Sequence, residues 1–529
     1  MELPILTVSN LSIEVAKKPL VHEISFSLFP GKCLAIVGES GSGKTLSCLT
    51  LLQLNPTSFE YPSGEIVMEG QWNPASSQIR TWRGKRIGMI FQEPMSALNP
   101  TMRVGDQITD ALQLHLGMNK VAARKRVIEL FEEVQIPSPA TSIDKYPHEM
   151  SGGQRQRVMI AMAISCEPEI LLADEPTTAL DVSVQQAVLN LLRDIQLKRQ
   201  MAMVFVSHDL AVVQSVADEI IVMQKGRVIE QGIAKQIIEN PKAAYTQGLL
   251  NCRPHGRSPL YYLPTLQEPN PSIPRPQTKI GDSLIQVKAL TKKYDQFTAV
   301  SEVDFEIFQG ETLGLIGESG CGKSTLSRML MGLIPITSGE VGWKGDSWFS
   351  DRVGIKKKDR KRVQMVFQDP FSSLNPKITI GEQIMEPMRI HGIGKNSADR
   401  WSKAVQWMEK VGMPEPEQSL YKYPHAFSGG QRQRIVIARA LAAEPECIIC
   451  DESVAALDVS VQAQVLNLLN QLKAELGLTF LFISHDLHVV RYMCDRVMIM
   501  QQGKIVEMGA TEAVFQHPQH PYSQTLLSK

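Results

Sequence analysis

The feature that most constrains this chain is a duplication of its own sequence. Five short motifs each occur twice in the same order, and each second copy lies about 277 residues after the first. The paired motifs are GESGSGKT and GESGCGKS, FQEP and FQDP, SGGQRQR twice, ADE and CDE, and SHDL twice. Five features in one order at nearly one spacing are not a chance pattern. They predict two copies of a domain of about 250 residues.

The segment between the two copies differs in composition from both. Residues 253–282 are rich in proline and polar residues and show neither helical nor strand periodicity. We therefore predict a first domain at 1–252, an extended, semi-rigid linker at 253–282, and a second domain at 283–529. The first third of the linker is equally compatible with irregular structure packed on the first domain.

Short apolar runs precede most of the motifs and indicate the fold class. Residues 33–37 and 313–316 stand immediately before the glycine-rich loops, and residues 170–173, 203–206 and 478–483 are runs of the same kind. Continuous apolar runs of this length suit parallel strands that are buried on both faces. Since they alternate with helical patterns, each copy is predicted to be an α/β domain built on a mostly parallel sheet.

Charge and hydropathy argue against several classes of protein. The chain has 55 Lys and Arg against 55 Asp and Glu, so its net charge of zero gives no sign of a polyanionic partner such as DNA or RNA. No apolar run approaches the roughly 18 residues that a membrane-spanning helix needs. The N-terminus lacks the regions of a signal peptide. Cys447 and Cys450 form a CxxC inside an apolar run, which favours a buried strand over a metal or redox site.

Each copy contains a loop of the pattern G-x-x-x-x-G-K-[ST] between a strand and a helix. Its glycines let successive backbone N–H groups face one anion, and the following helix points its positive N-terminus at the same place. Lys44 and Lys323 are predicted to reach the β- and γ-phosphates of ATP, and the hydroxyls of Thr45 and Ser324 to ligate Mg²⁺. The predicted phosphate-binding residues are Gly38, Glu39, Ser40, Gly41, Ser42, Gly43, Lys44 and Thr45, with Gly317, Glu318, Ser319, Gly320, Cys321, Gly322, Lys323 and Ser324 in the second copy.

Two carboxylates follow a later strand of each copy. They are Asp174 and Glu175 in the first copy, and Asp451 and Glu452 in the second. The aspartate is predicted to hold Mg²⁺, and the glutamate to orient and polarise the water that attacks the γ-phosphate. A solvated acidic strand end is the alternative, and the phosphate-binding loop upstream of each pair argues against it.

Two further polar residues recur at the ends of apolar runs. His208 and His485 each stand in the sequence SHDL, and a sensor of the γ-phosphate is favoured over a structural histidine because the histidine recurs at the common spacing. Gln92 and Gln368 follow the runs before FQEP and FQDP, where each is predicted to contact Mg²⁺ or the attacking water.

Together these motifs resemble the ATP-binding cassette (ABC) superfamily, over almost the whole chain except the linker. The SGGQ segment sets the resemblance apart from P-loop enzymes in general. It implies two tandem ABC-type ATPase domains, each with a mostly parallel core sheet and helices, an N-terminal antiparallel β subdomain and a helical signature subdomain. Both domains carry the carboxylate general base, so both sites are expected to hydrolyse ATP.

In this family the SGGQ signature caps the ATP that the opposite domain holds, in a head-to-tail dimer. The resemblance implies an internal pseudo-dimer in which ATP holds the halves together and its hydrolysis lets them separate. The ATP of Lys44 would be closed by Ser428, Gly429, Gly430 and Gln431, and the ATP of Lys323 by Ser151, Gly152, Gly153 and Gln154. Leu180–Asp181 and Leu457–Asp458 resemble the D-loops that cross such an interface.

The two copies differ at positions that the family uses. Tyr294 precedes the second P-loop where the family often stacks an aromatic ring on adenine, and Val15 is its counterpart in the first copy. We therefore expect the first P-loop to bind ATP more weakly. Ser453 follows the second carboxylate pair where the first copy has Pro176. Cys321 stands inside the second P-loop, where oxidation of its thiol would block the site.

Several segments resemble one subfamily, the ATPases of dipeptide, oligopeptide and nickel importers. They are QEPMSALNP at residues 92–100, QDPFSSLNP at 368–376, and the tails AYTQGLL and HPYSQTLL. The resemblance implies the ATP-hydrolysing subunit of an importer, peripheral on the cytoplasmic face of the bacterial inner membrane. Its partners would be two integral-membrane permease subunits, contacted through the segments after Gln92 and Gln368, and through them an extracytoplasmic substrate-binding protein. Short peptides are the first choice of substrate and nickel chelates the second.

Two other functions remain open at this point. A soluble twin-cassette ATPase that acts on ribosomes or nucleic acid would need a charged helical linker and a basic face. The single basic run, at 356–362, is expected to be a solvated edge, so no nucleic-acid partner is predicted. A structural or regulatory cassette is the third possibility. Single-domain relatives often carry a cysteine-rich extension, but only Cys252 stands in that region here, so we predict no iron–sulfur cluster.

Overall fold

The computed structural model describes residues 3–68, 71–72, 79–177, 182–254, 261–271, 273, 280–351, 354–355, 359–455 and 457–527. The chain divides into two compact units, Met1–Leu250 and Asn251–Lys529. Within the part of the chain that is described, no helix is both long enough and apolar enough to cross a membrane.

The first unit contains the first copy of the sequence repeat. Its strands are β1 Leu6–Val15, β2 Lys18–Leu28, β3 Cys33–Val37, β4 Phe59–Val67, β5 Gln71–Trp72, β6 Ile87–Ile90, β7 Ile170–Asp174, β8 Ala202–Ser207, β9 Glu219–Gln224 and β10 Arg227–Ile233. Its helices are α1 Lys44–Leu51, α2 Ile79–Trp82, α3 Pro94–Ala97, α4 Val104–Leu116, α5 Lys120–Glu133, α6 Pro139–Ser142, α7 Gly152–Ile164, α8 Val182–Arg199, α9 Leu210–Val213, α10 Ala234–Glu239 and α11 Ala244–Asn251, with a 3₁₀ turn at Pro147–Glu149.

The second unit repeats most of these elements in the same order and adds two short strands. Its strands are β11 Ser283–Tyr294, β12 Phe297–Phe308, β13 Thr312–Ile316, β14 Ser338–Trp343, β15 Asp346–Ser347, β16 Phe349–Asp351, β17 Gly354–Ile355, β18 Val363–Val366, β19 Cys447–Asp451, β20 Thr479–Ile483, β21 Arg496–Gln501 and β22 Lys504–Ala510. Its helices are α12 Lys323–Leu330, α13 Pro370–Ser373, α14 Ile380–His391, α15 Ser397–Lys410, α16 Pro416–Leu420, α17 Gly429–Leu441, α18 Val459–Leu476, α19 Leu487–Met493, α20 Thr511–Gln516 and α21 Pro521–Leu527, with 3₁₀ turns at Arg360–Arg362 and Pro424–Ala426.

Each unit has a six-stranded core sheet, in the order β10-β9-β3-β8-β7-β6 in the first and β22-β21-β13-β20-β19-β18 in the second. All neighbouring pairs are parallel except the edge pairs β9–β10 and β21–β22. Every residue of β3, β7, β13 and β19 is buried, as expected for strands covered on both faces. The predicted α/β fold class is confirmed.

Each unit also has a four-stranded antiparallel sheet, whose buried residues cluster with those of the core sheet. The order is β2-β1-β4-β5 in the first unit and β12-β11-β14-β15 in the second. Burial alternates along β1, and its inward residues, among them Leu6, Val8 and Ile13, cluster with Leu34 and Ile36 of β3. Three helices of each unit pack against one another and form a helical region. They are α4, α5 and α7 in the first unit, and α14, α15 and α17 in the second.

The CxxC of the second copy lies inside β19, as the apolar run around it predicted. Cys447 and Cys450 are both fully buried free thiols. Burial raises the pKa of both thiols, and that of Cys450 reaches about 12. These groups therefore pack in the sheet as small apolar side chains.

The described centre of the expected linker is folded onto the second unit. We call residues 261–271 the strap. The Tyr261 hydroxyl donates to the Asn470 carbonyl, and the Tyr261 carbonyl accepts from the Asn470 side chain (3.2 Å) and the Tyr492 hydroxyl (2.6 Å). The backbone N–H and C=O of Leu263 bond the Asn467 amide at 2.8 and 2.9 Å. Because Tyr261 and Leu263 are also buried, this stretch is anchored, and not the extended chain that its proline content indicated.

Candidate nucleotide-binding sites

In each unit the P-loop, the carboxylate pair, the glutamine and the histidine that the sequence predicts lie at the carboxyl ends of the core strands. Strands β6, β7, β8 and β3 run parallel, so their carboxyl ends lie side by side. These ends lead, in that order, to Gln92, to the pair Asp174 and Glu175, to His208, and to the P-loop. The P-loop follows β3 directly, and open α/β sheets bind ligands beyond the carboxyl ends of their strands.

The P-loop wraps closely around the ammonium group of its own lysine. Lys44 is buried, and its Nζ donates to the carbonyl oxygens of Gly38 (2.8 Å) and Glu39 (2.9 Å). Gly43 is left-handed (φ 97°) directly before α1, which begins at Lys44. A Cβ on Gly38 would lie 2.1 Å from the Met223 carbonyl, so this approach to β9 requires glycine.

The second P-loop has the same geometry. The Lys323 Nζ donates to the carbonyls of Gly317 (2.8 Å) and Glu318 (3.0 Å), and Gly322 is left-handed (φ 114°) before α12. Cys321 is only 7% exposed, and burial raises the pKa of its thiol against the opposing effect of the Lys323 charge. Both properties slow oxidation of this thiol.

The carboxylates of the first unit are each bonded to a predicted partner. The Thr45 hydroxyl donates to Asp174 Oδ1 at 3.0 Å. Glu175 is in the left-handed region (φ 45°), and its Oε2 accepts from Gln92 Nε2 at 3.0 Å and lies 3.2 Å from His208 Nδ1. Burial raises the pKa of Asp174 to about 6. A group that is costly to ionise in the apo protein is well placed to be neutralised by a cation.

The second unit repeats this arrangement around Glu452. Its Oε2 accepts from Gln368 Nε2 at 2.7 Å, and its Oε1 lies 3.5 Å from His485 Nδ1. Burial works to raise the pKa of Glu452, but the hydrogen bond and charge of His485 and the charge of Lys323 lower it below its usual value. Burial, followed by the charge of Glu452, raises the pKa of Asp451, which also accepts a hydrogen bond from Ser324. A carboxylate held ionised suits a base that polarises water.

The two signature segments form helix N-termini with free space around them. Ser151 caps α7 by accepting from Gln154 N at 3.3 Å, while Gln154 Oε1 accepts from Ser151 N at 3.0 Å. Ser428 and Gln431 form the same capping box on α17. A Cβ on Gly152 or on its counterpart Gly429 would have nothing within 4 Å.

The second signature glycine, by contrast, is required by packing inside its own unit. A Cβ on Gly153 would lie 2.7 Å from Val184, and a Cβ on Gly430 would lie 2.3 Å from Val461. Packing inside the unit does not require glycine at Gly152 or Gly429, the first glycine of each signature. The space beside these two glycines leaves room for an external group.

Val15 and Tyr294, which differ in residue type, occupy equivalent places in the two units. Tyr294 ends β11 opposite Phe297, and Val15 ends β1 opposite Lys18. Tyr294 is 46% exposed, and the Lys292 ammonium lies 4.7 Å from its ring centre. Asp458 occupies the N-cap position of α18, whereas Leu180–Asp181 lie outside the described residues.

Two tyrosines of the C-terminal tails also touch the P-loops, although the motif analysis gave them no role. The Tyr245 hydroxyl accepts from Glu39 N at 3.3 Å, and the Tyr522 hydroxyl accepts from Glu318 N at 3.1 Å. The signal was present, since both tyrosines stand at the common spacing of the repeat in the tails AYTQGLL and HPYSQTLL.

Comparison with known proteins agrees with this geometry. The ABC transporter family model matches residues 21–178 and 300–455, and the model of the oligopeptide/dipeptide transporter C-terminal region matches 229–281 and 506–529. The glutathione import ATP-binding protein GsiA of Salmonella paratyphi A is 42% identical over 99% of this chain and 89% of its own length. The protein of that name from Escherichia coli is 41% identical over the same shares.

Among solved structures, cbiO1 from Clostridium perfringens, part of the ABC transporter complex cbiONQ, is 28% identical with a TM-score of 0.41. The match covers 45% of this chain and 92% of that one. The two family models and the curated relatives decide the assignment. Both halves are ATP-binding domains, and the chain belongs to the ABC transporter family, with the C-terminal region of the oligopeptide/dipeptide transporters.

Proposed function

We propose that this chain is the ATP-hydrolysing subunit of an ABC importer for short peptides, driven by closure of its two halves on ATP. The observation that carries the proposal is that each unit gathers a P-loop lysine, a buried aspartate, and a glutamate bonded by glutamine and next to histidine at one sheet edge. Since both sets are complete, both sites are proposed to be catalytic.

The roles of these residues follow from their bonds. Glu175 and Glu452 are the proposed bases, because each carboxylate is oriented by Gln92 or Gln368 and lies near His208 or His485. In the same proposal the histidines sense the γ-phosphate. These polar partners on both sides would orient the carboxylate to accept a proton from water.

The donor set beside each P-loop fits Mg²⁺, which prefers oxygen ligands. The proposed ligand residues are Thr45, Asp174 and Gln92 in the first unit, and Ser324, Asp451 and Gln368 in the second. Thr45 and Asp174 are already 3.0 Å apart, and burial of the aspartate favours a neutralising cation. When bound, Mg²⁺ would offset the charge of the phosphates.

We further propose that each signature closes the ATP site of the opposite half. The open space at Gly152 and Gly429, together with a helix N-terminus, suits the approach of a phosphate. The substitution Gly152→Asp tests this. Aspartate at a first helical position does not disturb the helix, but it would repel the γ-phosphate. ATP hydrolysis at the second P-loop should fall about 100-fold while the melting temperature stays the same.

A matched control for Gly152→Asp is Lys120→Asp, which places aspartate at the first residue of α5. It should leave hydrolysis unchanged. Near-normal hydrolysis by Gly152→Asp at the second P-loop would contradict closure in trans.

The membrane partners are proposed to bind the short helices α3 and α13. These helices follow Gln92 and Gln368, and each exposes a large apolar side chain, Met95 (53%) or Phe371 (64%). Arg155 of the signature helix α7 contacts Met95, and the Arg432 guanidinium of α17 lies 3.8 Å from the Phe371 ring centre. A permease segment bound here would therefore touch both the glutamine segment and the signature helix.

Short peptides are the proposed cargo, which the names of the glutathione import relatives support. The proposed location is the cytoplasmic face of the bacterial inner membrane, with two permease subunits and an extracytoplasmic binding protein as partners. At the described end of the basic run, Arg362 lies near Asp359 (3.5 Å) and Glu446 (3.7 Å), which argues for a solvated edge over a nucleic-acid surface.

Purification of the intact complex tests the assignment. Two membrane subunits should co-purify, and after reconstitution with the binding protein, di- and tripeptides should stimulate ATP hydrolysis. Stimulation by a nickel chelate in place of peptides would transfer the proposal to the metal-chelate importers. Co-purification with ribosomes and no membrane subunit would overturn it.

A further inference from the structure

The C-terminal tails place a tyrosine hydroxyl on the P-loop in both units. We propose that Tyr245 and Tyr522 are positioning residues that hold the P-loop lysine ready for the nucleotide. The inference rests on the proposed ATP sites, and it adds residues to them from a region outside the two matched ATP-binding segments.

The residue that each tyrosine contacts is one of the two that orient the lysine. The N–H of Glu39 is bonded by the Tyr245 hydroxyl at 3.3 Å, and its C=O accepts from Lys44 Nζ at 2.9 Å. In the second unit, the N–H of Glu318 is bonded by Tyr522 at 3.1 Å and its C=O accepts from Lys323 at 3.0 Å. A shift of this residue would therefore move the ammonium group.

A tyrosine hydroxyl can accept one hydrogen bond and donate another, and Tyr245 does both. Tyr245 accepts from Glu39 N and also donates to Glu39 Oε2 at 3.4 Å, so it bonds both the backbone and the side chain of that residue. Tyr245 is only 9% exposed. Removal of its hydroxyl alone would leave the ring packed and the P-loop residue without this partner.

A second bond in each unit fixes the start of the tail helix that carries the tyrosine. The Glu230 carboxylate of β10 accepts from the N–H groups of Lys242 (2.8 Å) and Ala243 (3.1 Å), directly before α11. In the second unit, the Glu507 carboxylate of β22 accepts from those of Gln519 (2.9 Å) and His520 (3.0 Å), directly before α21. The helix is thus tied to the edge strand of the sheet that carries the P-loop. The same bonds occur in both copies, which indicates that the position of the tail helix is a shared feature of the two domains.

Hydrogen exchange in the full chain without nucleotide tests the contact directly. Tyr245→Phe should speed exchange of the Glu39 amide about three- to tenfold, the factor expected for loss of one hydrogen bond, and Tyr522→Phe should do the same for Glu318 only. The matched control is Tyr61→Phe, which loses a hydroxyl bonded by Asn55 (3.2 Å) away from the P-loop. Unchanged exchange at Glu39 and Glu318 would overturn the proposal.

ATP kinetics test whether the contact positions the lysine. Tyr245→Phe is measured with Lys323→Ala, and Tyr522→Phe with Lys44→Ala, so that binding of a fluorescent ATP analogue reports one site. The dissociation constant should rise about three- to tenfold, and in the full chain KM for ATP should rise more than kcat falls. Faster exchange with unaltered affinity would overturn the positioning role. If the parent protein bound no ATP, the proposed function would fail, and hydrogen exchange would still decide on the contact.

Discussion

The two halves agree around the phosphate end of the site and differ at its periphery. In both, the P-loop lysine bonds two loop carbonyls, and a glutamine and a histidine flank the proposed catalytic glutamate. The proposed adenine side differs, with Val15 in one half and Tyr294 in the other. The bonds that the two halves share are therefore concentrated at the ends of the core strands. We expect the halves to differ in ATP affinity and in the anchoring of the strap.

The strap shows the difference in anchoring. It is bonded by Asn467, Asn470 and Tyr492 of the second unit. The first unit has Arg193 where the second has Asn470, and this arginine donates to Asp218 (3.2 Å) and to the Val216 carbonyl (3.1 Å). The first half therefore lacks, at this position, the amide that bonds the strap in the second half.

Removal of each proposed catalytic carboxylate gives the largest expected effect. Glu175→Gln and Glu452→Gln keep the shape of the side chain but remove the base, so each should lower ATP turnover at its own site about 100-fold. Single-turnover hydrolysis, with the opposite P-loop lysine replaced by alanine, measures each site. The exposed Glu65→Gln serves as the control. Near-full activity of either variant would show that the halves are not equivalent in chemistry.

The agreement of the halves is the part of the molecule that the sequence predicts best. Parallel strands share one carboxyl edge, so a motif after each apolar run must lie near the others, and Gln92 does meet Glu175. The strap was out of reach, since Leu263 bonds a residue about 200 positions away, and proline content describes only the local chain. The contact of Tyr245 with Glu39 is equally long-range, and no pattern of spacing shows which group a hydroxyl will bond.

Loss of the strap amide should destabilise the second half alone. Asn467→Ala removes both bonds to the buried backbone of Leu263, at a cost of about 2–3 kcal/mol. Its counterpart Asn190→Ala loses an exposed bond to Gln186 (3.0 Å) and should cost less than about 0.5 kcal/mol. Hydrogen exchange of peptides from α18 and α8 in urea separates the two units. Equal destabilisation would mean that the strap is not a feature of the second half.

If the residues at the proposed adenine position are swapped between the halves, the ATP affinities of the two P-loops should be swapped too. Tyr294→Val should weaken ATP binding at the second P-loop about fivefold, and Val15→Tyr should strengthen it at the first by a similar factor, since a stacked ring is worth about 1 kcal/mol. Titration of each variant with one P-loop lysine removed gives the two constants. Tyr294→Phe keeps the ring and should bind as the parent does. Equal affinities of the two parent sites would contradict the expected asymmetry.

The smallest effect is expected inside the second P-loop. Cys321→Ser gives this loop the serine that the first carries as Ser42. Both lysines already bond the two loop carbonyls, and the substitution removes only the long contact of Lys323 with the Cys321 sulfur (3.9 Å), so turnover should change less than about twofold. Because Cys321 is buried and burial raises its pKa, iodoacetamide should modify it slowly at neutral pH and leave the activity intact. Rapid inactivation that Cys321→Ser prevents would reverse this expectation. It would make the second site redox-sensitive, and the halves would then differ in regulation as well as in affinity.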